Sequence, residues 1–166
     1  MFKFKGFTII ETLTAISVIL IGIVGIYSIV PHSLLWEQIN IDRFIALQLA
    51  REGLELVRNL RDTNWIQKKT WNEGLTNEGL TYCSSPTLCE IDYDDSNLSS
   101  STDRFLKINT KGFYQYEDGK ETKFKRKIEI TKCKTDTECL KIKTIVKWTD
   151  KEISLEEHLY NWKITF

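Results

Sequence analysis

The sequence predicts an α+β protein: a long N-terminal helix, one half membrane-spanning and the other amphipathic, packed on a small antiparallel β-sheet. Three patterns carry this expectation. Residues 7–30 form an apolar run whose only formal charge is Glu11. Ala46, Leu49, Ala50, Gly53, Val57 and Leu60 then recur at spacings of three and four, which draws one apolar stripe along a helix. Near the C-terminus, Phe124, Ile128 and Ile130 alternate with Lys125, Lys127 and Glu129. Leu140, Ile142, Val146 and Trp148 alternate in the same way with Lys141, Lys143 and Lys147, the period of half-buried strands.

The 166 residues suffice for one domain of ordinary size plus an appendage. Lys plus Arg and Asp plus Glu both number 23, so no whole-protein field recruits nucleic acid. The charge-free part of the apolar run, Thr12 to Val30, has 19 residues. As a helix it spans about 28 Å, close to the hydrocarbon core of a bilayer. Lys3 and Lys5 precede it with no acid among them, which places the N-terminus in the cytoplasm and everything after Pro31 outside. A cleaved secretory signal has a shorter apolar region, about 7–15 residues, and ends in a small-residue site. Here the run is longer and leads into "IVPHSLLWEQ", which has no such site. Glu11 is the anomaly. A lone carboxylate among Ile, Leu and Val costs several kcal/mol in hydrocarbon, so it needs a partner or a place at the headgroup level.

The stretch "KGFTIIE" resembles the start of type IV prepilins and of the pseudopilins of type II secretion. These carry a short basic leader ending in Gly, then an aromatic residue, then a hydrophobic helix with Glu at its fifth position. The resemblance implies a leader of residues 1–6 cut after Gly6 by a prepilin peptidase, with Phe7 as the first mature residue and its amine methylated. Residues 7–30 would form the membrane and filament-core helix, 31–62 its amphipathic continuation, and 63–166 an extracytoplasmic, pilin-like β domain. In the family the fifth-position Glu, here Glu11, pairs with the terminal amine of a neighbouring subunit. The physics agrees, because cleavage creates a positive charge on Phe7 in apolar surroundings, and a buried charge needs a partner. A negative charge in the first turn also suits the helix dipole. The continuation "LIGIVG" looks more like the minor pilins and minor pseudopilins than the major subunits. Implied partners are other pilin or pseudopilin subunits, the prepilin peptidase, the inner-membrane assembly platform and membrane lipid. No cofactor is implied. Pro31 stands near the place where pilins often kink, and it should kink or end the helix there.

From Leu34 to about Asp62 the stripe defines a second helical stretch, with Arg51–Glu55 and Arg58–Asp62 as i,i+4 pairs on its other face. Residues 63–103 have little periodicity, and "DDSNLSSSTD" reads as an exposed loop. Asp92, Asp94, Asp95 and Asp103 there lack any calcium-loop signature and read as solvated turn acids, so no metal is expected. Asn97-Leu98-Ser99 matches a glycosylation sequon, a weak signal. Residues 105–116 suggest a hairpin turning near Gly112. "CKTDTEC" and Thr149-Asp150-Lys151 read as two further turns, and a shift of parity between Leu155 and Tyr160 suggests a bulge or bend. The whole reads as an antiparallel meander with helix on one face.

Cys83/Cys89 and Cys133/Cys139 are both CX5C. Zinc prefers about two to four intervening residues and often a His, and an exported domain favours disulfides. Pairing within each CX5C is preferred among the three connectivities that four cysteines allow. From Lys120 to Lys147, ten Lys/Arg stand against four Asp/Glu. This is either a nucleic-acid face or the solvent side of a sheet, and the absence of interleaved aromatics favours the solvent side. His32 and His158 stand in no catalytic constellation, and no phosphate loop or dinucleotide fingerprint is present, which argues against an enzyme. The competing reading of this organisation is a membrane-anchored extracytoplasmic module that binds DNA, a surface or a secreted protein.

Overall fold

The computed structural model describes residues 6–76, 83, 88–134 and 138–162, the side chains of 28–35 excepted. It divides into two compact units, Met1–Arg43 and Phe44–Phe166. One helix, α1, runs from Ile9 to Ile66. Of the two outcomes expected at Pro31, the stop does not occur. A proline removes one backbone donor. Here that loss is set against helical turns on both sides, whose bonds propagate cooperatively.

Eight strands follow in chain order: β1 (Cys89–Glu90), β2 (Ser99–Ser100), β3 (Lys107–Ile108), β4 (Tyr114–Gln115), β5 (Lys120–Glu121), β6 (Phe124–Lys132), β7 (Cys139–Trp148) and β8 (Lys151–Tyr160). The architecture is α+β. Five strands form one antiparallel sheet in the order β2-β1-β6-β7-β8, and three form a smaller sheet in the order β4-β3-β5. The meander expected from the alternation is β6-β7-β8. The hairpin expected over 105–116 is β3-β4, closed at Gly112, whose N–H donates to the Asn109 carbonyl at 3.0 Å. It belongs to the second sheet rather than to the meander.

Within the sheet-bearing unit, the apolar stripe of α1 lies on the large sheet. Ala46, Leu49 and Ala50 bury against Leu106, Tyr116, Phe124, Val146 and Trp148. Val57 buries with Ile91, Ile128, Ile130, Leu140, Ile142 and Leu159 in a second cluster. Gly53 lies between these stripes, and a Cβ placed there would sit 2.7 Å from the Thr144 methyl. The missing side chain is what lets helix and sheet approach so closely.

Three local expectations are corrected. The parity shift in β8 is not a bulge, since its ten pairs with β7 run unbroken from Trp148↔Lys151 to Cys139↔Tyr160. The inward series is Ile153, Leu155, Glu157, Leu159, and Tyr160 faces outward, 48 % exposed. Glu157 breaks the apolar pattern because it pairs with Arg58 of α1. Arg58 accordingly turns to Glu157 and Glu55 instead of Asp62, which takes Arg61 at 2.9 Å. Asp92 is no solvated turn acid: it is buried, and the Tyr116 N–H donates to its carboxylate at 3.0 Å.

Candidate functional site: an exposed apolar helix headed by a capped glutamate

Every described side chain from Gly6 to Tyr27 is exposed. Phe7 is 85 % exposed and Ile9 87 %, values no soluble surface holds over such a length without a partner. Ile9–Tyr27, 19 residues, is long and apolar enough to cross a membrane. Its threonine and serine hydroxyls are satisfied within the helix: Thr12, Thr14 and Ser17 each donate to a carbonyl three or four residues back, at 2.8–2.9 Å. The helix thus offers its surroundings an apolar exterior with its short polar side chains turned inward on the backbone.

At its head, Thr8 and Glu11 form a capping box. The Thr8 N–H and hydroxyl donate to Glu11 Oε2 at 3.1 and 3.0 Å, and the Glu11 N–H donates to Thr8 Oγ1 at 3.3 Å. Each side chain satisfies a backbone donor that the first helical turn leaves open. The expectation for Glu11 named a neighbour's amine as its partner. In a single chain Thr8 already holds the carboxylate at the helix start, beside Phe7. The Thr-x-x-Glu spacing is itself legible as a cap. Gly6 and Phe7 lie just before the first turn, and nothing in the described structure lies within 4 Å of a Cβ built on Gly6.

In the sheet-bearing unit, disulfides join Cys83 to Cys89 and Cys133 to Cys139. The second closes the β6–β7 hairpin, where the Cys133 N–H also donates to the Cys139 carbonyl at 3.2 Å. Five of the six lysines of β6 and β7 are balanced by carboxylates. Lys125 and Lys127 both reach Asp103, Lys141 and Lys143 reach Glu156, and Lys147 lies 3.0 Å from Glu152. The hydrogen bonds from Lys125 and Lys127 bring the Asp103 carboxyl down to about 2. Much of the positive excess on this face is thereby neutralised.

The alternation of β6 hides one charged residue at an inward position. Arg126 is 1 % exposed. Its Nη2 donates to the Ile91 carbonyl at 2.7 Å, and its Nη1 stands 3.2 Å from Glu52 of α1 without hydrogen-bond geometry. The Tyr116 hydroxyl donates to the Arg126 carbonyl at 2.7 Å. Glu52–Arg126 and Arg58–Glu157 are reciprocal, helix acid to sheet base and helix base to sheet acid. Together they fix how α1 is rotated on the sheet. Sequence periodicity passes over both, because it collects only the apolar members of a strand.

Residues 1–27 match the family model described as the prokaryotic N-terminal methylation motif, and the chain thus carries the N-terminal signal of type IV prepilins and pseudopilins. This motif supports a prepilin-like subunit that is processed by prepilin peptidase and assembles with other pilin subunits. With the one helix among the described residues long and apolar enough to cross a membrane, it fits a single-pass inner-membrane anchor. No curated protein and no solved structure matches the chain.

Proposed function

We propose that the chain is a minor subunit of a type IV pilus or a type II secretion pseudopilus. It is made as a precursor with residues 1–6 in the cytoplasm and residues beyond Pro31 outside. Prepilin peptidase cuts after Gly6 and methylates the new amine of Phe7. The helix then leaves the bilayer through an inner-membrane assembly platform and enters a helical bundle, where Glu11 pairs with the Phe7 amine of a neighbour. The observation that carries this reading is the Gly6-Phe7-Thr8-x-x-Glu11 head on an apolar helix with every described side chain exposed. Such a helix needs lipid first and other helices later, and a peptidase switches it from one to the other by creating a charge that only assembly buries with a partner. The minor assignment rests on the likeness of "LIGIVG" to that class.

The test is Gly6→Val. A β-branched residue at the cut blocks the close approach that a glycine allows. The expected result is a full-length precursor in the inner membrane. Mature protein of normal size from that mutant would overturn the proposal.

A further inference from the structure

A cavity in the sheet-bearing unit encloses about 460 Å³, within the roughly 300–1,000 Å³ typical of ligand sites. The last turns of α1 contribute Asn59, Thr63 and Gln67 to one wall, and the segment after β1 contributes Tyr93 and Asn97 to another. These walls are fixed. Asn64 Nδ2 donates to the carbonyls of Trp71 and Glu73 at 3.2 and 2.8 Å, and Trp71 and Leu75 are buried in the core. The Asp92 N–H donates to Asp95 Oδ2 at 2.9 Å, which closes the turn that presents Tyr93. The Tyr93 ring stacks on Phe113, with centroids 5.1 Å apart, and stays 41 % exposed.

The chemistry of the lining selects among ligands. Lys69 pairs with Glu73 at 3.5 Å, and the Asp95 carboxylate, which accepts from the Asp92 N–H, keeps its charge, so the lining disfavours an anion. Leu56 and Leu60 are the aliphatic members of the lining, too few for a slot that takes a greasy side chain. What the lining offers is side-chain amides. Those of Gln67 and Asn97 make no hydrogen bond to protein among the described residues. An amide both donates and accepts, as a sugar hydroxyl does. A fixed aromatic face beside such groups suits the C–H face of a pyranose. We propose that this cavity binds an uncharged saccharide, with its ring against Tyr93 and its hydroxyls on the amides of Gln67 and Asn97. The site stands whether or not the chain enters a filament.

The test uses the full chain in a zwitterionic detergent, because a sugar-headed detergent would occupy the site. Glucose, galactose, mannose and N-acetylglucosamine are offered singly in saturation-transfer NMR and then titrated. The expected result is transfer to ring protons of at least one sugar, with affinity about tenfold weaker in both Tyr93→Ala and Asn97→Ala. Asn97→Ala removes an exposed amide that holds no partner among the described residues, so it leaves the fold intact. Absence of transfer from all four sugars, or binding that either variant leaves unchanged, overturns the proposal. So does stronger transfer to trialanine that the same variants abolish, which would make the cavity a peptide groove.

Discussion

Glu11 caps its own helix through Thr8 in a single chain, and cleavage after Gly6 would place a positive amine one residue before that cap. The two roles separate by substitution. Gln serves a capping box as well as Glu, but it carries no charge. Glu11→Gln should therefore insert and keep its first turn, yet leave a neighbour's amine unpaired at a cost of roughly 3–5 kcal/mol in the bundle. Its amount in filaments sheared from cells should fall as far as that of Glu11→Ala. Wild-type incorporation of Glu11→Gln would reduce Glu11 to a cap. Tyr116 provides a second residue-scale test. Burial pushes its phenol up to about 12, from an ordinary 10.0. A raised folded value means that the stabilisation is fully present below pH 10 and is lost as pH rises through about 12. In a phenolate absorbance titration Tyr116 should ionise last, near pH 12, and Tyr116→Phe should remove that late step. At this scale the sequence was legible where a residue acts through its neighbours in the chain, as Thr8 and Glu11 do. It was opaque where the partner is distant: nothing local says that Arg126 will meet Glu52, or Glu157 meet Arg58.

The helical stripe and the alternation of β6 and β7 were readable because burial repeats with the period of the element. Gly53 belongs to that stripe, but its function is contact distance rather than burial. Gly53→Val would drive side-chain atoms into Thr144, where even a Cβ would sit at 2.7 Å. Overpacking of this kind costs about 1–3 kcal/mol, so chemical denaturation should show a lower midpoint with an unchanged slope. A midpoint equal to wild type would mean that α1 does not lie on β7 at this position. The inferred bulge in β8 failed for an instructive reason. An inward Glu157 looks like a change of face when only apolar residues are counted, whereas the unbroken register places Tyr160 outside and Leu159 inside. Strands β1 to β5 were mostly invisible, since two-residue strands are too short to carry a period. The fold there depends on groups such as Asp92, buried under the Tyr116 N–H.

The whole molecule is a chain of two characters. One unit carries an apolar helix whose described side chains are exposed, and the other buries its own core and is crossed by two disulfides. Zero net charge and the pairing of five sheet lysines leave the exposed apolar helix as the main unmet demand among the described residues. A sheet-bearing unit with its own buried core beside an exposed apolar helix fits the proposed subunit, which would cover that helix on assembly. The central claim is that residues 1–6 are a leader and that the mature chain begins with a methylated amine at Phe7. Mass spectrometry of the N-terminal peptide from cell-derived protein tests it most directly. The account predicts a peptide beginning at Phe7 and heavier by one methyl group. A peptide that still begins at Met1, from protein that has reached its final location, would contradict it and leave the chain a permanent membrane anchor.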